Sequence, residues 1–252
     1  MGAVWVACVA ILLALGVWQI ERRAWKLDLI DRVERRVHAE PVPAPGSAAW
    51  PAINRSDDEY RRVTLSGRFL NDRETLVQAL TVEGSGYWVV TPLQTAGGTV
   101  LVNRGFVPAD RRAPASRSAG NLDGTVSVTG LLRISEPGGG FLRDNDPAAD
   151  RWYSREVAAI AAARGLSDVA PFFVDADATP NPGGLPIGGL TVISFPNNHL
   201  VYALTWFTLA LMLAGAGLQR LRRRQREPEA PAAQDVEWDQ RRQDTGGCGA
   251  GS

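Results

Sequence analysis

The dominant pattern in the sequence is a pair of long apolar runs, one towards each end of the chain. Residues 2–20 and residues 200–218 each contain 19 positions without a charge. At about 1.5 Å of helix rise per residue, each run reaches about 28 Å, close to the hydrocarbon thickness of a bilayer. A buried core helix is the alternative, but tryptophan and arginine flank both runs, as at membrane interfaces. The pattern therefore predicts two transmembrane helices.

Basic residues beside these runs predict their orientation. Five arginines lie between positions 220 and 226, whereas only three basic residues, at positions 22, 23 and 26, follow the first run. The larger cluster is expected to stay in the cytoplasm, so both termini are predicted inside and residues 21–199 outside. A cleaved signal peptide is disfavoured, because the bulky residues Val17–Ile20 would form a poor cleavage site. A mitochondrial transit sequence is disfavoured as well, because only Met1 precedes the apolar run. We therefore expect an uncleaved, two-pass protein of a bacterial plasma membrane.

Between the spans, alternating apolar and polar positions predict β-strands. Val63, Leu65, Gly67 and Phe69 alternate with polar residues. Further strands are predicted at 74–81, 86–94, 98–107, 124–134, 171–176 and 189–195, with a hairpin turn at Gly97-Gly98. One helix is predicted over 154–164, ended by Gly165. The fold class is therefore an α+β membrane protein, with two transmembrane helices flanking a β-rich extracytoplasmic domain, an open barrel or a sheet, that carries one covering helix.

These patterns divide the chain into five segments. Leu27, Ile30, Val33 and Val37 predict that a helix continues past the first span, before a proline-rich stretch imposes extended chain. The predicted segments are transmembrane helix 1 (1–20), a juxtamembrane helix and proline-rich connector (21–51), the β-rich domain (52–198), transmembrane helix 2 (199–219) and a basic, then disordered, cytoplasmic tail (220–252).

Alanines predict how the two spans pack. Ala3, Ala7, Ala10 and Ala14 fall on one face of the first span, and Ala210 and Ala214 offer a small pair on the second. Alanine is also simply common in such helices, which is the alternative explanation for this spacing.

Composition and charge remove several classes of function. The 27 basic residues balance the 27 acidic ones, which disfavours a nucleic-acid-binding protein. The two cysteines, Cys8 and Cys248, lie near opposite ends, so a disulfide framework or a cysteine-rich metal cluster is not expected. Zinc-ligand spacings and nucleotide-binding glycine loops are absent from the sequence, and an enzyme is therefore disfavoured. His38 and His199 are the only histidines, and His38 is predicted to be a surface residue.

His199 has a special position in the sequence. It follows Pro196 and two asparagines that can cap a helix, which predicts His199 in the first turn of the second span, at the outer membrane interface. Tyr202 and Trp206 follow at i+3 and i+7 and form an aromatic face below the imidazole. This arrangement suits a haem whose iron needs an axial nitrogen. The alternative is an interfacial histidine that reaches water, beside an ordinary aromatic belt.

Several short motifs follow one another along the chain: Gly16-Val17-Trp18-Gln19 with Arg22 and Trp25-Lys26, Tyr60–Val63 with Gly67, Phe69 and Leu70, Gly86–Leu93, Val102–Pro108, Asn145-Asp146-Pro147 with Trp152-Tyr153, and Pro196–Phe207. In this order they resemble the surfeit locus protein 1 family over roughly residues 12–220. The last, which contains Asn197-Asn198-His199, is the most specific. Glu156 departs from the expected aspartate, and we attach no functional consequence to that difference.

The resemblance implies an assembly factor for haem–copper cytochrome c oxidase that binds haem a and assists its insertion into oxidase subunit I, alongside other assembly factors. It implies that His199 is the axial ligand of the haem iron, with Tyr202 and Trp206 as support for the macrocycle. On chemical grounds Arg104 is a candidate partner for a haem propionate, because guanidinium pairs with carboxylate in a bidentate manner. The alternative for Arg104 is a hairpin arginine on a solvated face.

Two functions of different classes therefore remain open. The first is a haem chaperone, in which a single protein histidine holds the haem with the other axial site open or weakly held. The second is a scaffold that does not bind haem and stabilises an assembly intermediate of oxidase subunit I through sheet edges and small-residue helix faces.

Overall fold

The computed structural model of the chain describes residues 2–140, 142–193 and 195–226. The predicted disordered tail, and with it Cys248, lies outside the described residues beyond position 226. The helices and strands, in chain order, are α1 (Gly2–His38), β1 (Val42–Pro43), α2 (Arg55–Asp58), β2 (Arg62–Phe69), β3 (Thr75–Thr81), β4 (Gly84–Thr95), β5 (Gly98–Pro108), β6 (Thr125–Ile134), α3 (Val157–Ala163), β7 (Val169–Ala176) and α4 (His199–Arg226). Short 3-10 helices span Ser47–Ala52, Asn71–Arg73, Ala109–Arg111, Pro114–Gly120, Pro147–Ala149 and Pro182–Gly184.

The chain divides into two units, described separately below. One consists of the described residues of Met1–Arg23 and Asn197–Ser252, and the other is Ala24–Pro196. The first contains the two predicted spans, because Gly2–His38 and His199–Arg223 are both long and apolar enough to cross a membrane. The two helices indicate a membrane-anchored protein. The continuation of α1 to His38 confirms the helix predicted to continue past the first span through Leu27, Ile30, Val33 and Val37.

The second unit is a β-barrel. Its strands follow the order β1-β2-β6-β7-β5-β4-β3, and an additional pairing of β2 with β4 closes the ring β2-β6-β7-β5-β4. All ring pairs are antiparallel except β5 with β7, which is parallel. The predicted β-rich domain is confirmed, and the barrel is closed rather than open.

The barrel has apolar contacts on both sides of its wall. Inside, ten buried residues form one cluster, among them Phe69, Leu93 and Phe172. Outside, Leu101 and Phe173 pack with Trp152 and with residues of α3. Strands β5 and β7 are therefore buried on both faces, and β5 is buried along nearly its whole length, whereas β2 alternates as predicted.

The single covering helix, α3, confirms the prediction at positions 154–164 with a later start. It ends in a Schellman arrangement, in which the Leu166 amide donates to the Ala161 carbonyl at 2.9 Å and the Gly165 amide donates to the Ala162 carbonyl at 3.2 Å. Gly165 has φ +60°, a left-handed conformation that costs glycine little. The predicted glycine stop is confirmed.

One predicted strand, at 189–195, is wrong: its described residues, 189–193 and 195, form no strand. Just before it, Ile187 and Phe106 exchange two backbone hydrogen bonds in a single bridge. Strand β7 pairs with β5 only as far as Asn103, and beyond it the bridge at Phe106 is the only pairing that this segment makes with β5 among the described residues. The proline-rich connector, predicted to be simply extended, adds a two-residue strand, β1, that pairs parallel to β2.

Two glycines allow the barrel to close. Gly67 pairs with Thr95 where β2 turns from β6 towards β4, and Gly130 pairs with Ala176 where β6 meets β7. A methyl group added at Gly67 would collide with the Gln94 carbonyl oxygen, and one at Gly130 with the Asp175 carbonyl oxygen. Both colliding atoms belong to the backbone and cannot rotate away, so these positions require glycine for close approach of the strands.

A buried carboxylate joins three strands at one end of the barrel. Asp175, 2% exposed, accepts hydrogen bonds from Asn103 (2.7 Å), Arg133 (2.8 Å) and Arg155 (2.7 Å). Burial alone would lower the pKa of Arg133, but Asp175, with help from Glu59 and other neighbours, raises that pKa above its usual value. Arg133 therefore stays charged in the wall of the barrel.

We predict that Gly130→Ala destabilises the domain by about 1–3 kcal/mol, because the added methyl group forces the backbones of β6 and β7 apart. The midpoint of thermal unfolding, followed by circular dichroism of the purified full chain, should fall by several degrees. Gly46→Ala is the matched control, since its methyl group would meet no atom within 4 Å. Equal midpoints for the two variants would contradict this account of closure.

Candidate functional site

The candidate site lies in the first unit, where α1 and α4 pack against each other. Trp5 of α1 lies against Gly217 of α4, and Gln19 of α1 contacts His199 of α4. Because the early residue of α1 meets the late part of α4 and the reverse, the two helices run antiparallel. His199 is the first residue of α4, and the amide of Tyr202 donates to the Asn198 carbonyl at 3.3 Å, as predicted for a helix that begins here.

Small residues on α4 and a glycine on α1 determine how closely the two helices approach each other. Ala203 and Ala210 are 1% and 2% exposed, and Gly217 is also buried, so the buried small residues of α4 recur every seven positions. On α1, Gly16 faces the Phe207 ring, and a methyl group added there would lie 2.5 Å from it. Each helix thus has a glycine that receives an aromatic ring of the other.

The alanine face predicted for α1 is wrong, since Ala3, Ala7, Ala10 and Ala14 are all exposed. The packed face is instead Trp5, Val9, Leu12, Gly16 and Gln19, spaced by four and three residues. Large side chains on α1 fill the space beside small ones on α4, so the small residues are needed on only one of the two helices along most of the seam. The prediction for Ala210 is confirmed, and Ala214 is half-buried.

A side-chain hydrogen bond connects the two helices at His199. The imidazole Nδ1 lies 2.8 Å from Gln19 Oε1, and Gln19 is 9% exposed. Gln19 carries the only amide side chain of the apolar run 2–20, which has no charged residue. In apolar surroundings an unpaired amide or imidazole would lose its hydrogen bonds to water without compensation, so each of these side chains stabilises the other.

This hydrogen bond determines which imidazole nitrogen is available. Because Gln19 Oε1 is an acceptor, Nδ1 of His199 carries the hydrogen and donates it. The neutral ring then keeps the lone pair of Nε2 free to bind a metal. A partner on the far nitrogen is the usual means by which proteins orient a ligating histidine. The hydrogen bond therefore leaves Nε2 as the His199 nitrogen whose lone pair is available.

The other predicted site residues of α4 lie near this imidazole in sequence. Tyr202 is 55% exposed, while Trp206 is half-buried beside the seam with α1. Asn197 Oδ1 is buried and has no hydrogen-bond partner among the described residues. An orphaned acceptor of this kind can bind a donor group of a ligand.

Arg104 belongs to the other unit, in β5. It is 2% exposed, which contradicts the alternative of a hairpin arginine on a solvated face. Its guanidinium donates to the Gly120 carbonyl, lies 3.5 Å from Asn71 Oδ1 and stacks 4.6 Å from the centre of the Phe69 ring. Burial lowers the pKa of Arg104 to about 10. The predicted pairing with a propionate remains a prediction, and these contacts favour a role within the barrel.

The rest of the described chain offers few other groups for a metal. His38 is exposed, with Nδ1 3.0 Å from the Glu34 carbonyl oxygen, as expected of a surface residue. No group of three or more histidine, cysteine or acidic side chains able to hold a metal ion occurs among residues 2–140, 142–193 and 195–226.

Sequence reasoning did not assign a role to Gln19. The signal was present, because a single amide within an otherwise apolar span needs a polar partner. What the sequence could not supply was the partner, since 180 positions separate Gln19 from His199.

These features define a membrane-anchored barrel protein with a paired histidine and glutamine between its two anchoring helices. A model of the SURF1 family matches residues 6–211. The chain is 36% identical over 227 residues to surfeit locus protein 1 of Mus musculus, covering 83% of this chain and 72% of that protein. It is 37% identical over 214 residues to surfeit locus protein 1 of Homo sapiens (78% and 69%), and 38% identical over 211 residues to a SURF1-like protein of Monosiga brevicollis (78% of each).

The chain therefore belongs to the SURF1 family. Membership implies a role in cytochrome c oxidase assembly and suggests a non-enzymatic protein.

We predict that Gln19→Leu changes the tautomer of His199. With His38→Gln as background, His199 is the only imidazole in the chain. Its ¹⁵N resonances should report hydrogen on Nδ1 with Gln19 present and a shift towards hydrogen on Nε2 in Gln19→Leu, because the acceptor is lost. Gln219→Leu, an exposed glutamine on α4, is the matched control. The same tautomer in all three proteins would contradict the proposed hydrogen bond.

Proposed function

We propose that the protein is a haem a chaperone for cytochrome c oxidase, which binds the haem through His199 and assists its insertion into oxidase subunit I. The observation that carries the proposal is the hydrogen bond from His199 Nδ1 to Gln19, which leaves Nε2 as a ready axial ligand. Haem a is cargo here, held for transfer and used elsewhere.

The side chains near His199 fit this cargo. Tyr202, more than half exposed, and Trp206 offer aromatic surface for an apolar macrocycle. The orphaned Asn197 Oδ1 can accept a hydrogen bond from a hydroxyl group, and haem a carries a hydroxyl beside its isoprenoid tail. These contacts are few, as delivery requires, since a cargo held by many groups would leave slowly.

A single protein ligand also suits transfer. With Nε2 of His199 on one side of the iron and no second histidine near it in the sequence, the other axial position stays open to a ligand from the acceptor. The acceptor can then bind before His199 leaves, so that the iron never loses both ligands. Gln19 keeps the imidazole in the binding tautomer while the cargo is absent.

The proposal includes a location and partners. The arginines between positions 220 and 226 favour cytoplasmic termini and an extracytoplasmic barrel in a bacterial plasma membrane. The partners are oxidase subunit I, other oxidase assembly factors and the lipid bilayer, and the balanced charge disfavours nucleic acid. We propose no enzymatic activity.

The first test is the haem content of the detergent-purified full chain from cells that make haem a, measured by pyridine haemochrome spectra. We predict a stoichiometric pigment in the natural protein and its loss in His199→Ala, because the axial nitrogen is removed. His38→Ala is the matched control, since it removes the other histidine, which is exposed.

The same variants separate the chaperone from the scaffold. A colourless natural protein, or pigment retained in His199→Ala, would overturn haem binding through His199. If, in addition, His199→Ala supported oxidase assembly to the same extent as the natural protein does, a scaffold for oxidase subunit I would become the leading function.

We further predict that Gln19→Leu keeps some haem but binds it about 10–100-fold more weakly, the usual cost of losing the partner of a ligating histidine. The measurement is haem release to a competing acceptor such as apomyoglobin. Gln219→Leu should release haem at the natural rate. Unchanged release from Gln19→Leu would exclude a positioning role for this glutamine.

A further inference from the structure

One buried arginine of the barrel has no carboxylate partner. Arg104 and Arg117 are the two most deeply buried arginines of the described residues, at 2% and 5% exposure. Arg117 donates to both carboxylate oxygens of Glu74, whereas Arg104 makes no ion pair within the described part of the chain. A buried charge without a partner is costly, so stability alone does not explain Arg104.

The charges around Arg104 do not cancel. Burial lowers the pKa of Arg104 to about 10, which is still far above neutral pH, so its guanidinium is charged. Glu74 favours that charge and Arg117 opposes it. Two guanidinium groups therefore share one carboxylate, and one positive charge is left over in this part of the barrel.

The guanidinium of Arg104 also has unused hydrogen-bond donors. One terminal nitrogen donates to the Gly120 carbonyl, and the other lies 3.5 Å from Asn71 Oδ1. Because a guanidinium has five N–H groups, these two contacts leave three of them without a partner among the described residues. Such a planar fork of donors matches the two oxygens of a carboxylate.

These donors border a cavity inside one end of the barrel. The cavity has a volume of about 140 Å³, and its lining includes Arg104 together with Phe69 and Val102 of the interior cluster. The guanidinium lies over the Phe69 ring, and Asn71 donates at 3.2 Å to the carbonyl of Leu122, which also lines the cavity. The unpaired charge and the empty space are therefore at the same place.

The size and lining of the cavity limit what it can hold. One water needs about 10–15 Å³, so the cavity has room for a molecule of several atoms. Val126 and Val128 add aliphatic surface beside Phe69, which suits a short hydrocarbon stem. Asp177 also lines the cavity, with its carboxylate accepting from the Thr179 amide at 3.0 Å, and its negative charge disfavours an anion of more than one charge.

We propose that this end of the barrel is a binding site for a short-chain monocarboxylate. Arg104 binds the carboxylate oxygens, and Phe69 and Val126 contact the aliphatic part. The site is formed by the barrel alone and does not involve His199, so this proposal and haem binding can fail independently.

The test measures the binding of the free propionate ion to the detergent-purified full chain. The protein is taken from cells that make no haem a, so that the propionates of the cargo cannot compete. The line width of the propionate NMR signals, followed over a range of protein concentrations, gives the dissociation constant. Propionamide, which has the same shape without the charge, is the matched ligand control. Triglycine has a carboxylate on a molecule too large for the cavity.

Two substitutions should change the affinity in opposite directions. Arg104→Met removes the charge and should weaken propionate binding by about tenfold or more. Asp177→Asn removes a negative charge beside the cavity but keeps an acceptor for the Thr179 amide, and it should tighten binding several-fold. Asp144→Asn is the matched control, because Asp144 is exposed and does not line the cavity, and its affinity should equal that of the natural protein.

Each contrary result would overturn a defined part of the proposal. Absence of broadening with the natural protein, or equal broadening of propionamide, would overturn the site. Unchanged affinity in a folded Arg104→Met, checked by circular dichroism, would overturn the role of this arginine. If Arg104→Met does not fold, equal affinities of Asp177→Asn and Asp144→Asn would overturn the site instead. Triglycine binding as tightly as propionate would overturn a small ligand and indicate the carboxylate of a larger molecule.

Discussion

The hydrogen bond between Gln19 and His199 is the interaction on which the membrane unit depends. Each partner is a polar group placed in an apolar helix pair, where neither can be left without a partner at acceptable free energy. The close approach that this bond requires is made possible by Gly16 and Gly217, which accept the rings of Phe207 and Trp5. The small residues therefore set the spacing of the helices, and the hydrogen bond determines which imidazole nitrogen stays free.

The barrel also satisfies a buried polar group, here mainly with charged side chains. Asp175 is buried among Arg133, Arg155 and Asn103, and removal of either arginine would leave a buried carboxylate with fewer donors. Residues from three strands and from the loop before α3 meet at this carboxylate. The network therefore ties β5, β6 and β7 to the loop that leads into α3.

Much of the fold could be predicted from local patterns, and the failures have physical causes. The alternation of apolar and polar residues predicted β2, and the glycine after α3 predicted where that helix ends. Both signals depend only on residues that are neighbours in sequence. The strand predicted at 189–195 is wrong because its composition is strand-like, whereas its pairing with β5 stops at the single bridge between Ile187 and Phe106, just before it. The alanine face of α1 failed because small residues are needed on only one of two packed helices. His199 could be singled out by its motif, whereas its partner Gln19 required the tertiary structure.

The 180 positions between Gln19 and His199 have a consequence for the order of biogenesis. At about 5–20 residues per second, roughly 10–35 s of synthesis separate the two residues, and the barrel is made during that interval. The first helix therefore enters the bilayer with an unsatisfied glutamine, and the hydrogen bond to His199 forms only when the last helix arrives. A chain that stalls or is cut before that moment has its first helix and its barrel but lacks the hydrogen bond that joins the two membrane helices.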